Sequence, residues 1–153
     1  MPTVLEPRID VETVAPEAER AISALDAYVA RSALEPALLE LVRLRASQIN
    51  GCAYCVDMHS KDARARGETE QRLYGLSVWR ETPYSTNRER AALAWTEAVT
   101  LVHDGHVPDD VYSEARAEFG EEELIALTVA VIAINAWNRL AISVRTVPGT
   151  YEP

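Results

Sequence analysis

The sequence predicts an all-α chain, a single-domain bundle of about six to seven helices with a C-x-x-C pair at the start of a central one. Three observations predict it. Apolar residues recur at three- and four-residue steps along most of the chain. No stretch alternates apolar and polar with period two. The apolar runs are bounded by helix-start and helix-stop residues. At 153 residues the chain is long enough to bury a substantial core. It divides into an extended arm over 1–14, a helical domain over 15–147 and a loose tail over 148–153.

The arm carries Pro2 and Pro7 and no helical period. Pro16 suits the first turn of a helix, and Ala18, Ile22, Leu25, Tyr28 and Val29 give helix one, 16–32, its apolar stripe. Pro36 opens helix two, whose face is Leu38, Leu39, Val42, Ala46 and Ile49. Asn50-Gly51 breaks it, since both residues tolerate positive φ. Helix three runs from Cys52 to Arg66, with Gly67 following its end and Lys61, Arg64 and Arg66 suited to the negative end of its dipole. Thr69 caps a short helix over 70–74, and a loop with Gly75, Trp79 and Pro83 follows. Thr86 and Glu89 form a capping box for a helix over 87–103, ended by Asp104-Gly105. Pro108 opens a helix to Phe119, stopped by Gly120. Glu121, Glu122 and Glu123 start a long last helix to Arg145, apolar on nearly every side from Leu124 to Trp137. Such a helix is central or covered by another subunit.

Composition narrows the function. Hydrophobic residues make up 48% and the net charge is −9, so no basic face is available for nucleic acid. The N-terminus lacks a basic region followed by an apolar run, and the near-apolar run Leu124–Ile134 is too short to span a membrane. We therefore expect no membrane association and a cytoplasmic location. In a reducing compartment a C-x-x-C pair points to redox or metal chemistry, not to a structural staple.

Cys52 and Cys55 are the protein's two cysteines, with His59 four residues beyond the second and Glu40 twelve before the first. On a helix the two cysteines and His59 share one face. Both cysteines would lie in the first turn, where free N–H groups and the dipole stabilise a thiolate, the reactive form. His59 can take the Cys55 proton, and the neighbouring thiol can close a disulfide on a sulfenic acid. If Asn50-Gly51 folds helix two back, Glu40 returns beside Cys52, and a buried carboxyl there would have a raised pKa suited to carrying protons. Two other readings compete: a pair of small buried residues, and a zinc site of Cys52, Cys55, His59 and Glu40. Three zinc ligands within one and a half helical turns crowd a tetrahedron. A c-type haem needs histidine where Val56 stands. His103 and His106 read as cap or loop residues, Trp95 and Trp137 as core or interface anchors, and Asn135 and Arg139 as structural polar groups in an apolar helix.

The run E-x11-C-x-x-C-x3-H, with RAS-x-x-NGC-x-YC inside it, resembles the core of the alkylhydroperoxidase D (AhpD) family within the carboxymuconolactone decarboxylase superfamily. The segment Ile134–Arg145, INAWNRLAISVR, is similar to the last helix of its small members. The resemblance extends over about residues 30–147. It implies an AhpD-like helical fold and reduction of a small organic hydroperoxide, with Cys55 as the peroxidatic thiol, Cys52 as the resolving thiol and His59 and Glu40 as proton relay. On its own Glu40 reads as a solvated glutamate, and only the family spacing gives it that role. Tyr54 stands at a position the family varies. The resemblance further implies a separate dithiol reductant, no metal or organic cofactor, and a homotrimer or homohexamer. The alternatives are a non-catalytic redox sensor or thiol–disulfide exchange module, and a lactone decarboxylase, whose members generally lack the cysteine pair.

Overall fold

The computed structural model describes residues 4–153. Among these residues the chain forms eight α-helices, one 3-10 segment and no strand. The helices are α1 Val11–Val14, α2 Pro16–Ala30, α3 Pro36–Asn50, α4 Ala53–Ala65, α5 Glu70–Tyr74, α6 Asn87–Thr100, α7 Asp109–Glu118 and α8 Glu121–Val144, with the 3-10 segment at Leu76–Glu81.

The central helix is α3. Its apolar residues point in every direction, and each sector meets a different neighbour. Leu38, Leu39 and Val42 join Val29, Ala92, Trp95, Leu127 and Val131 in the main core. Leu41 and Leu44 face Leu73, Leu76, Trp79 and Leu93 on the opposite side. Ala46 packs with Cys52, Cys55 and Ile134 at its C-terminal end. Long α8 lies against α2, α3 and α6. Only part of α8 is covered: Ile125, at 58% exposure, and Ile132 face outward. By length and apolarity α8 could cross a membrane. The eleven-residue run counted from sequence understates it, because the helix continues through Asn135, Asn138 and Arg139, whose polar groups all find partners.

Several boundaries differ from the sequence expectation. Within the arm, residues 11–14 are a helical turn, because the Asp10 carboxylate accepts the Thr13 N–H at 3.4 Å and its hydroxyl at 2.8 Å. Residues 1–3 of that arm lie outside the described residues. The helix expected to reach 103 ends at Thr100 and continues as turns. The loop at 75–83 contains the 3-10 segment, pinned by buried Trp79, whose indole N–H donates to Glu97 at 2.8 Å. Cys52 stands outside α4 as its N-cap.

The tail is not loose. The Gly149 N–H donates to Asp57 at 3.1 Å, Lys61 donates to the Tyr151 carbonyl at 3.0 Å, and the Tyr151 hydroxyl donates to Asp62 at 2.7 Å. These contacts join residues about ninety positions apart. No local periodicity announces them.

Candidate active site

Two local decisions build the site. Gly51 takes φ +69, ψ 32, and the N–H groups of Gly51 and Cys52 bond back to Gln48 and Ser47. This left-handed residue turns the chain so that α4 runs back along α3. Cys52 then caps α4: its sulfur accepts the Cys55 N–H at 3.4 Å. The two sulfurs are 2.6 Å apart, and both cysteines are free thiols. They are buried, at 1% and 3% exposure.

A cavity of about 510 Å³ opens beside them. Cys55 lines it and Cys52 does not. Met58, Ile134, Trp137, Leu140 and Val144 give it an apolar wall, and Glu40, Arg43, His59, Asp62 and Arg66 give it a charged one. Tyr54 also faces it, its phenol pushed up first by burial and also by the charge of Asp57.

The structure brings the four predicted residues together as two pairs. Cys52 and Cys55 form one. Glu40 and His59 form the other, with Nδ1 2.9 Å from the carboxylate, which leaves Nε2 as the free ring nitrogen. Glu40 does not return beside Cys52. It precedes the Gly51 turn by eleven residues, roughly 16 Å along a helix, so its antiparallel neighbour lies well into α4 and not at the turn. Its carboxyl also differs from expectation. Burial would raise it, but the His59 hydrogen bond and the charges of His59, Arg43 and Arg66 outweigh burial and hold it below its ordinary value. Glu40 therefore stays ionised and orients His59.

The two thiols are shifted in opposite directions, so the pair loses its first proton readily and its second with difficulty. Cys52 is pulled down to about 7, first by the hydrogen bond between the two sulfurs, against burial, and then by the Cys55 N–H, the Asn138 side chain and the Tyr54 N–H. Cys55 is pushed well above the usual thiol range by the same sulfur–sulfur contact, by burial and by the charge on Cys52.

The side chains close enough to share an ion differ from the sequence's zinc set. Among the described residues Glu40, His59 and Asp62 bring ligand atoms within 4.8 Å of one another, without either cysteine. Sequence reading passed over Asp62, Asn138 and Tyr151. Asn138 carried the same signal as Asn135, an amide in an apolar helix that needs partners. Trp137, expected as a core or interface anchor, lines the cavity and donates to Asp26 at 2.7 Å. Trp95 is buried in the main core, and His103 and His106 are exposed in the turns after α6.

The carboxymuconolactone decarboxylase family model matches residues 16–98, from the start of α2 into α6. An uncharacterised protein, YdfG of Bacillus subtilis (strain 168), is 39% identical over 136 residues, 89% of this chain and 92% of that one. A crystal structure of a protein of unknown function from Agrobacterium tumefaciens, ATU0492, described provisionally as the antioxidant defence protein AhpD, is 46% identical. It superposes with a TM-score of 0.91 over 95% of this chain and 100% of that one. The debrominase Bmp8 shares the fold alone, at 18% identity and a TM-score of 0.74 over 88% of this chain and 73% of its own. The fold, the C-x-x-C turn and these similarities agree: the chain is an AhpD-like member of the carboxymuconolactone decarboxylase family.

Proposed function

We propose that the chain is a thiol-dependent peroxidase that reduces small organic hydroperoxides, as antioxidant defence. One observation carries this reading: two thiols in contact, of which only Cys55 opens into a cavity that also holds the Glu40–His59 pair. Cys55 passes its proton to the Cys52 thiolate beside it, and the Cys55 sulfur attacks the O–O bond. The bond breaks to give a Cys55 sulfenic acid and an alkoxide, and His59, held by ionised Glu40, supplies the proton that makes the alcohol. The Cys52 sulfur then bonds to Cys55, its proton leaving with the hydroxyl as water. A dithiol reductant reopens the disulfide and is itself oxidised. A reducing compartment, the cytoplasm, suits that cycle. A homotrimer or homohexamer would cover the outward isoleucines of α8.

The test counts free thiols before and after one equivalent of an organic hydroperoxide. Wild type should lose two thiols, and Cys52→Ser should stall as a Cys55 sulfenic acid. Survival of both thiols would end the peroxidase reading. Consumption of both with a single turnover under excess dithiol would favour a redox sensor.

A further inference from the structure

The cavity beside Cys55 has two unlike walls, and together they describe a guest. On one side stand Met58, Ile134, Trp137, Leu140 and Val144, with no ionisable group among them. Trp137 and Tyr54 pack on the buried cluster that holds Cys55, so this apolar surface continues up to the thiol. The Trp137 indole N–H donates to Asp26 at 2.7 Å. Its polar edge is thereby satisfied within the wall, and the ring asks nothing polar of a guest. The volume, about 510 Å³, suits enclosure of a whole small molecule.

The other wall carries charge, and its balance is negative. Glu19, Asp26, Glu40 and Asp62 line the cavity with Arg43 and Arg66, so carboxylates outnumber guanidiniums two to one. Protonation of His59 would not reverse the sign. Both guanidiniums are engaged. Arg43 gives Nη1 to Glu40 at 3.1 Å and Nη2 to Asp26 at 3.6 Å, which occupies both arms of its fork. Arg66 holds Nε 3.7 Å from Glu40. An entering carboxylate must displace one of these acids or sit among them. In a site partly closed to water, like charges repel more strongly than in solution.

We propose that the cavity selects electrically neutral hydroperoxides bearing a bulky alkyl or aryl group and turns away those that carry a carboxylate, such as the hydroperoxides of free fatty acids. Trp137 recognises the apolar group. Asp26 has a double part: it accepts the indole N–H of the apolar wall, and it occupies the cation that an acid would seek. The proposal rests on the peroxidase reading of the thiol pair, because that reading makes the guest a hydroperoxide.

Alcohols with the skeleton of such a substrate, but without the O–O bond, test it in the reduced wild-type protein. Cumyl alcohol is neutral, and atrolactate is the same molecule with one methyl replaced by a carboxylate. Binding is read from the indole N–H signals in NMR. The chain has three tryptophans, and Trp137→Phe identifies the signal that matters. Cumyl alcohol should shift the Trp137 signal and leave Trp79 and Trp95 still. Its Kd at pH 7 should lie about tenfold below that of atrolactate, and high salt should narrow the gap. Asp26→Asn keeps an acceptor for the indole and removes the charge, so the ratio should fall to about threefold or less. Atrolactate binding as tightly as cumyl alcohol would overturn the proposal and point to Arg66 as a carboxylate receptor. Cumyl alcohol that fails to shift Trp137 at millimolar concentration would overturn it too, as would an unaltered ratio in folded Asp26→Asn. The wild-type comparison stands even where that variant does not fold. No probe contains an O–O bond and neither thiol takes part, so selection can hold where peroxide turnover fails, and fail where turnover succeeds.

Discussion

Replacing Cys55 by alanine gives the sharpest test of how the thiol pair holds its charge. The Cys55 thiol is the largest of the groups that lower Cys52 from an ordinary 9.0 to about 7. That depression corresponds to about 3 kcal/mol of preference for the thiolate. Removing the Cys55 side chain leaves burial opposed only by the backbone N–H groups and Asn138, so the Cys52 midpoint should climb to about 8.5 or higher. The sign follows from the acid form: a lowered thiol ionises as pH rises through about 7, so wild-type thiolate accumulates between about pH 6 and 8. In Cys55→Ala the same rise is displaced to alkaline pH. At pH 7 the thiolate fraction falls from about one half to about 3% or less. Alkylation rates would blur this, because each thiolate of higher pKa is also about fivefold more nucleophilic. Absorbance at 240 nm counts thiolate directly and is the assay of choice. A Cys55→Ala midpoint within about half a unit of wild type would refute the sulfur–sulfur account and move the cause to the start of α4 and Asn138.

His59→Gln keeps the polarity of the site and removes the proton donor, so turnover of tert-butyl hydroperoxide with excess dithiothreitol should fall about a hundredfold. Activity within twofold of wild type would dismiss His59. Glu97→Ala leaves Arg45 and Arg80 without their shared carboxylate and Trp79 without its acceptor. It should cost about 3 kcal/mol in urea unfolding with an unchanged m-value, and a loss under about 1 kcal/mol would show the network to be dispensable. Tyr151→Phe removes the hydroxyl that donates to Asp62. A bulky maleimide should then label Cys55 severalfold faster while iodoacetamide changes little, with an unaltered melting temperature. Equal acceleration of both reagents would mean that the core, and not the tail, had loosened.

The sequence made the helices legible wherever a cap and a period coincided. Thr86 and Glu89 form the capping box they predict, and Gly51 takes the left-handed turn. It also marked Cys52, Cys55 and His59, because their spacing is short enough for the start of one helix to put the two sulfurs in contact and Cys55 and His59 on one cavity wall. Glu40 was marked by resemblance and then misplaced, since its partner depends on how far each helix runs from the turn. Asn50, Asn138 and Ser47 interlock through α3 and α8 across nearly ninety residues. Tyr151 meets α4 across a similar distance. Pairings of this kind are decided by tertiary packing, and single-residue patterns carry no record of them.

The rim of the cavity has an unusual origin. Val11 and Thr146 line it, the Arg8 N–H bonds to the Val144 carbonyl, and Tyr151 is moored on Asp62. Segments before α2 and after α8 thus border the same opening. Segments held by a few hydrogen bonds open at lower free energy than packed helices. The rim can therefore breathe while α3, α4 and α8 keep their packing. Admission of a guest is in this way separated from the rigidity that the sulfur chemistry demands, and neither property need be bought at the expense of the other.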